Sequence, residues 1–192
     1  MPVADQLSPE ISVVVPCYNE LDNLVPLIDE LRGVLDPLGR TYEILYVDDC
    51  SKDGTTDRLV LLCKEYACLR VVRHRSNFGE SAGELTGFEC ARGSIIITID
   101  ADLQNDPADI PEMLRRLENA DAICGVRRKR EDSLSKKISS RVANKVRDWL
   151  LHDDIHDAGC TYRALRREAL NELPRFRALH RFLPSILKWH GY

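Results

Sequence analysis

The stretch that decides the fold of this chain is Ile95-Ile96-Ile97-Thr98-Ile99-Asp100-Ala101-Asp102-Leu103-Gln104. Its five β-branched residues in a row predict a strand buried on both faces, as in a parallel sheet covered by helices. Two carboxylates follow the strand directly. Because alternate residues of an extended chain share a face, we expect Asp100 and Asp102 to point into one crevice. Open α/β sheets bind their ligands in that crevice, beyond the carboxyl ends of the strands.

The acidic pair has two interpretations. Carboxylate oxygens beside solvent suit Mg²⁺ or Mn²⁺, held jointly with the diphosphate of a substrate. The alternative is an Asp-rich turn that caps the helix expected near Pro107, since Asp is common in turns.

Strand and helix patterns alternate through the first 125 residues. Strands are expected at 11–16, 42–47, 69–73, 95–99 and 121–125, and helices at 20–35, 53–66, 81–91 and 107–118. Such alternation predicts an α/β fold, a Rossmann-like and mostly parallel sheet flanked by helices. The rhythm then breaks, because residues 134–151 have the pattern of one basic amphipathic helix, which either packs on its own domain or lies on a membrane.

Charge divides the chain into two halves of a single expected domain, 1–192. Residues 1–125 carry 11 Lys and Arg against 23 Asp and Glu, a net charge of −12. Residues 126–192 carry 16 against 8, a net of +8. One interpretation is a half that binds nucleotide-sugar and metal, followed by an acceptor half that meets phosphate or an anionic membrane surface. The alternative is that basic helices simply offset an acidic sheet domain.

Cysteine usage and hydropathy favour a cytoplasmic protein. The seven cysteines include no C-x-x-C pair, which is typical of free thiols in a reducing compartment. No apolar run approaches the roughly 18 residues that span a bilayer. The first residues lack the basic and apolar regions of a signal peptide.

Two common classes of ligand are not expected. A dinucleotide-binding protein needs G-x-G-x-x-G after its first strand, but residues 15–20 contain no glycine, and there is no Walker A motif. Nucleic acid is not an expected partner, because the chain has a net charge of −4 and lacks a recognised nucleic-acid module.

Polar residues end other strands at the same edge. Tyr18 can stack on a base, while Glu20 and Asp48 can accept hydrogen bonds from a base or ribose. The alternative for Glu20 is a favourable charge in the first turn of a helix. After the fifth strand, residues 127–130 are basic, and so are Lys136 and Lys137; Arg binds phosphate with two hydrogen bonds and Lys supplies a point charge.

Three motifs together resemble family 2 glycosyltransferases of the GT-A fold. They are P-x-Y-N-E at 16–20, D-D-x-S-x-D-G-T at 48–55 and D-A-D-L-Q at 100–104. The second half, with D-x-G-C-x-x-R at 157–163 and H-R-F-L-P at 180–184, is similar to polyprenyl-phosphate glycosyltransferases of the dolichol-phosphate mannose synthase type. The resemblance covers residues 10–192.

The resemblance implies a role for each group of residues. The nucleoside would be held by Pro16, Tyr18, Glu20, Asp48 and Asp49. The divalent metal, Mg²⁺ or Mn²⁺, would be held by Asp100, Asp102 and Gln104. The lipid phosphate would be bound by Arg127, Lys136, Lys137 and Arg163. The catalytic group would comprise Asp102 and Arg127, with Asp157 orienting the acceptor or the basic residues.

The implied reaction is the inverting transfer of a sugar from a UDP- or GDP-sugar to a polyprenyl phosphate at the cytoplasmic face of the membrane. A phosphate acceptor has a second pKa of about 6 and is largely ionised at neutral pH, so a general base is not required. The alternatives are transfer to a growing polysaccharide and a non-catalytic module that binds nucleotide-sugars.

The chain departs from the family pattern in two places. Glu80 and Glu84 stand where relatives often carry Lys, Gln or small residues. Relatives also continue past Tyr192, so we expect the acceptor half to be shortened here at its C-terminal end.

Overall fold

The computed structural model describes residues 8–126, 160–170, 173–174 and 179–192. The helix expected at 134–151 lies outside these ranges, as do four predicted site residues: Arg127, Lys136, Lys137 and Asp157. In the described ranges, six strands form one sheet that is flanked by five α-helices. All seven cysteines are free thiols, as expected.

The strands and helices of the first half confirm the expected alternation to within a few residues. Over all the described ranges, the strands are β1 (Ile11–Cys17), β2 (Tyr42–Asp48), β3 (Leu69–Arg73), β4 (Ile95–Thr98), β5 (Ala122–Cys124) and β6 (Arg163–Arg166). The helices are α1 (Leu24–Leu35), α2 (Thr55–Glu65), α3 (Glu80–Cys90), α4 (Ile110–Leu117) and α5 (Leu179–Trp189).

The sheet has the order β3-β2-β1-β4-β6-β5. The four strands from β3 to β4 run parallel, which confirms the mostly parallel sheet. Strand β6 is antiparallel to both of its neighbours and was not predicted from the sequence. Its four residues begin and end with arginine, so it lacks the apolar run that marks the other buried strands.

Alternate residues of the central strands enter two separate cores. On β1, Val13 and Val15 face one core together with α1, α2 and α4, while Val14 faces the other with α3 and α5. Strands β2 and β4 alternate in the same way. Each fully buried Val, Leu or Ile stabilises the fold by about 1.5–3 kcal/mol, so a sheet covered on both faces explains the apolar runs.

Helix α3 approaches the sheet unusually closely. A Cβ atom on Gly87 would lie 2.2 Å from Cγ1 of Val14, and one on Gly83 would lie 3.1 Å from Cβ of Pro16. The missing side chains let the helix backbone rest on β1, so the first turn of α3 lies beside the carboxyl end of that strand.

We expect Gly87→Ala to lower the free energy of unfolding by about 1–3 kcal/mol, because the added methyl group overpacks a filled core. Denaturant unfolding measures this change. Gly33→Ala is the matched control, since Gly33 is helical and nothing lies within 4 Å of the point that its added methyl group would occupy. That control should stabilise the protein by about 0.5–1 kcal/mol through helix propensity. Equal effects of the two substitutions would contradict the close approach of α3.

Candidate functional site

The loops that follow β1, β2 and β4 lie at one edge of the sheet and carry unusual backbone angles. In the described ranges, the non-glycine residues with positive φ are Asn19 at 59°, Cys50 at 65° and Leu103 at 60°. One of them lies in each of these three loops. Such angles cost energy for side chains with a Cβ atom, and they concentrate at functional sites.

The first two loops are joined by hydrogen bonds. The Asn19 amide donates to Oγ of Ser51 at 2.9 Å, and the Lys52 amide donates to Oδ1 of Asn19 at 2.8 Å. The Glu20 amide donates to Oγ1 of Thr55 at 3.0 Å. The two loops therefore form one ordered wall, which includes Tyr18, a residue that is 40% exposed.

The predicted nucleoside residues Pro16 and Glu20 belong to the same wall. Pro16 is half-buried and pairs with Val47 in the register of β1 and β2. The carboxylate of Glu20 accepts a hydrogen bond from Nδ2 of Asn23 at 2.7 Å, so it also orders the start of the first helical turn. The position of Glu20 is therefore compatible with both interpretations, a hydrogen bond to a base or ribose and a favourable charge in the first turn of a helix.

Asp48 is fully buried, and its carboxylate is engaged by the turn that follows β2. Its Oδ1 accepts hydrogen bonds from the amide of Ser51 at 3.0 Å and from Oγ of Ser51 at 2.5 Å. Its Oδ2 accepts one from the hydroxyl of Thr56. Asp48 thus shapes the wall, and its expected contact with a nucleoside stays a prediction.

Asp49 holds the loop between β3 and α3. Its Oδ1 accepts the Phe78 amide at 2.8 Å and lies 2.7 Å from Nδ1 of His74, while Oδ2 accepts the Gly79 amide at 2.7 Å. The other ring nitrogen of His74 lies 2.8 Å from Oγ1 of Thr86. Asp49 therefore supports the candidate site by holding this loop. The sequence motifs did not indicate that His74 and Thr86 take part in these contacts.

The acidic pair lies at the end of β4, as expected. Asp100 is half-buried, and both of its hydrogen bonds within the described ranges go to Oδ2: Oγ1 of Thr161 donates at 2.5 Å and Nδ2 of Asn105 at 3.3 Å. Asp102 is exposed and accepts the Gln104 amide at 3.1 Å. The side chain of Gln104 is exposed beside them.

Capping of the next helical segment is carried out by a different residue. Oδ1 of Asp106 accepts the Ala108 amide at 2.9 Å at the start of the segment that leads into α4. The capping interpretation therefore applies to Asp106. Asp100 and Asp102 remain available for another role.

The donor set of the acidic pair fits a divalent cation that is shared with a substrate. Within the described ranges, no three His, Cys, Asp or Glu side chains come together as a complete ligand set. Two carboxylates, one of them exposed, suit Mg²⁺ or Mn²⁺ when substrate phosphates and water supply the other ligands. Asp100, Asp102 and Gln104 would hold such an ion.

Arg163, which the resemblance assigns to the lipid phosphate, lies in the interior of the protein. Its side chain is fully buried, and Nη1 lies 3.0 Å from Oε1 of Glu84, which is 1% exposed. This placement does not match the expectation that Arg163 binds a lipid phosphate, because a buried guanidinium is closed to a ligand from solvent. Burial raises the pKa of Glu84 to about 7; the charges of Glu80 and Asp100 act in the same direction, and Arg163 opposes them.

Residues 12–174 match the sequence pattern described as glycosyl transferase family 2. The chain belongs to this family. This confirms the family that the three motifs indicated.

Curated relatives agree with that membership. The chain is 35% identical over 180 residues to dodecaprenyl-phosphate galacturonate synthase of Rhizobium johnstonii, covering 92% of this chain and 53% of that protein. It is 36% identical over 179 residues to undecaprenyl-phosphate 4-deoxy-4-formamido-L-arabinose transferase of Pseudomonas paraeruginosa, covering 92% and 52%. The chain thus spans about half the length of these relatives.

Solved structures confirm the GT-A fold. A mannosyltransferase from Pyrobaculum calidifontis in complex with GDP-Man and Mn²⁺ superposes with a TM-score of 0.70 at 20% identity, over 97% of this chain and 54% of that one. Glucosyl-3-phosphoglycerate synthase from Mycobacterium tuberculosis with Mn²⁺ and UDP-glucose gives 0.68 at 22% identity, over 86% and 59%.

In the described part of the chain, the helices are too short or too polar to cross a bilayer.

We expect Asp49→Asn to lower the free energy of unfolding by about 1–3 kcal/mol. The side-chain amide group of Asn would place its own N–H donors against a backbone N–H group whose hydrogen bond Asp49 now accepts. Denaturant unfolding measures the loss. Asp29→Asn, on the exposed side of α1, is the control and should change stability little. A stability equal to that of the wild type would show that Asp49 does not hold the loop between β3 and α3.

Proposed function

We propose that this family 2 domain catalyses the inverting, metal-dependent transfer of a sugar from a UDP- or GDP-sugar to a polyprenyl phosphate. The observation that carries the proposal is the acidic pair: Asp100 is anchored through one oxygen, and Asp102 is exposed, beside an ordered wall of loops at the carboxyl edge of the sheet. The names of the relatives, which act on dodecaprenyl and undecaprenyl phosphates, support the class of acceptor.

The donor nucleoside would lie along the wall formed by the first two loops. The exposed ring of Tyr18 provides a surface for stacking, and Pro16 and Glu20 lie in the same loop. Asp48 and Asp49 would act on the nucleoside indirectly, by holding the turn after β2 and the loop after β3.

Asp100, Asp102 and Gln104 would hold the divalent cation against the donor diphosphate. A cation held there would neutralise the charge that develops on the leaving diphosphate. The acceptor phosphate, which carries its own negative charge, would attack the anomeric carbon from the opposite face and invert its configuration. Arg127, Lys136 and Lys137 would bind that phosphate, and Asp157 would orient it.

We further propose that the protein acts as a peripheral protein at the cytoplasmic face of the membrane. A polyprenyl phosphate is a membrane lipid, so its transferase must reach the bilayer surface. The net charge of +8 in residues 126–192 would favour an anionic surface, since each basic residue near such a surface contributes about 1 kcal/mol.

Calorimetric titration with UDP and with GDP, each with Mn²⁺ and with chelator, tests the donor site. We expect one nucleotide to bind in a metal-dependent manner. Asp102→Asn should abolish that binding without unfolding the protein, because it removes an exposed carboxylate ligand. Asp29→Asn should bind as the wild type does. Equal affinity of Asp102→Asn and the wild type would refute the metal assignment.

Arg127→Ala tests the acceptor role. We expect the substitution to weaken the use of polyprenyl phosphate in a transfer assay while nucleotide affinity stays unchanged, because the guanidinium is assigned to the acceptor phosphate. Loss of both properties to the same degree would contradict that assignment. Nucleotide binding by the wild type without any transfer to polyprenyl phosphate would favour another acceptor or a binding module.

A further inference from the structure

The hydroxyl of Thr161 donates its proton to one oxygen of the carboxylate of Asp100. Thr161 lies in the segment that leads into β6, it is 4% exposed, and its Oγ1 lies 2.5 Å from Oδ2 of Asp100. This distance is typical of a charge-assisted hydrogen bond, which is about twice as strong as one between neutral groups. The contact therefore fixes the orientation of the Asp100 carboxylate.

The backbone around Thr161 is held independently of the Thr161 side chain. Its carbonyl accepts a hydrogen bond from the hydroxyl of Thr98 on β4. The carbonyl of the next residue, Tyr162, accepts the Gly125 amide at 2.8 Å, and the hydroxyl of Tyr162 donates to the carbonyl of Asp106 at 3.0 Å. Removing the Thr161 hydroxyl therefore leaves the contacts that place this segment beside β4.

The two oxygens of the Asp100 carboxylate are unequal. Oδ2 accepts hydrogen bonds from Thr161 and, at 3.3 Å, from Nδ2 of Asn105, which fills the lone-pair positions of that oxygen. Within the described ranges, neither of these bonds nor any other goes to Oδ1. Asp100 is half-buried beside the exposed Asp102, so it presents one open oxygen at the carboxyl edge of the sheet.

We infer that Thr161 is a positioning residue for the metal site: it holds Oδ2 of Asp100, so that this carboxylate binds the cation through Oδ1 alone. This inference rests on the proposed function, because it takes Asp100 as a metal ligand.

A carboxylate that is limited to one oxygen also affects the choice of cation. Mg²⁺ demands a near-ideal octahedron of ligands and is bound through few carboxylates. The larger Ca²⁺ takes about six to eight oxygens and accepts carboxylates that bind through both oxygens. Thr161 therefore favours the smaller cation at Asp100.

The test measures the affinity for metal rather than turnover. Electron paramagnetic resonance of the free aqua ion reports bound Mn²⁺ in the presence of the nucleotide that the wild type binds. Thr161→Val replaces the hydroxyl by a methyl group, and we expect it to weaken Mn²⁺ binding by about 10- to 100-fold, the usual effect of losing an outer-shell partner. Thr161→Ser keeps the hydroxyl and should restore the affinity. Thr41→Val, which removes an exposed hydroxyl just before β2, should bind Mn²⁺ as the wild type does.

Competition between cations separates this role from simple structural support. Mg²⁺ and Ca²⁺ are each titrated against bound Mn²⁺. In Thr161→Val, Oδ2 is released to bind together with Oδ1, so the preference for Mg²⁺ over Ca²⁺ should fall by about 10-fold, the lower end of the same range. A purely structural loss would weaken the binding of both ions equally and leave the preference unchanged.

The outcomes distinguish the inference from the proposed function. Wild-type Mn²⁺ affinity in Thr161→Val, no restoration in Thr161→Ser, or an unchanged preference between Mg²⁺ and Ca²⁺ would overturn the role of Thr161 alone. A wild type that binds no Mn²⁺ with either nucleotide would overturn both. If Thr161→Val does not fold, Asn105→Ala replaces it, because it removes the other donor to Oδ2. A preference between the two ions equal to that of the wild type would then overturn the inference.

Discussion

The antiparallel pairing of β6 with β4 is the contact on which the candidate site depends. Strand β4 has only four residues, and Asp100 follows it where the regular strand has ended. Residues of the β6 segment hold this end in place: the hydroxyl of Thr98 donates to the carbonyl of Thr161, and the hydroxyl of Thr161 donates to Asp100. A segment far along the chain thus fixes the carboxylate that the sequence motif supplies.

The carboxylates at this edge divide into two groups by burial. Asp48 and Asp49 are buried, and a buried carboxylate is stable only when donors surround it, so their oxygens are taken by the loops they organise. Asp102 is exposed, and the anchored Asp100 is half-buried beside it. Much of the motif at 48–55 is therefore architectural: it builds the wall along which a nucleotide is proposed to lie.

The sequence predicted the strands and helices of the first half because apolar periodicity and turn residues report burial directly. It also predicted that the polar ends of β1, β2 and β4 share an edge, since parallel strands leave no other arrangement. It did not predict β6, because the arginines at both ends of this strand interrupt the apolar pattern that marks buried strands. It also did not predict the ion pair between Glu84 and Arg163. A charged residue is expected at the surface, and only the three-dimensional contact shows that Arg163 has a buried partner. Thr161 and Asn105 were missed because single hydrogen bonds to a carboxylate leave no pattern in a sequence.

The position of β6 also affects how the protein folds during synthesis. In the described part of the chain, β4 lies between β1 and β6, and Arg163, the first residue of β6, follows Thr98, the last residue of β4, by about 65 residues. At ribosomal rates of about 5–20 residues per second, β4 stands as an open, isoleucine-rich edge for roughly 3–13 s before its partner emerges. Open apolar edges recruit other strands, so the nascent chain passes through an aggregation-prone stage just before the edge that carries the candidate site is completed. Translation speed and chaperone access over this interval therefore bear on the yield of native protein.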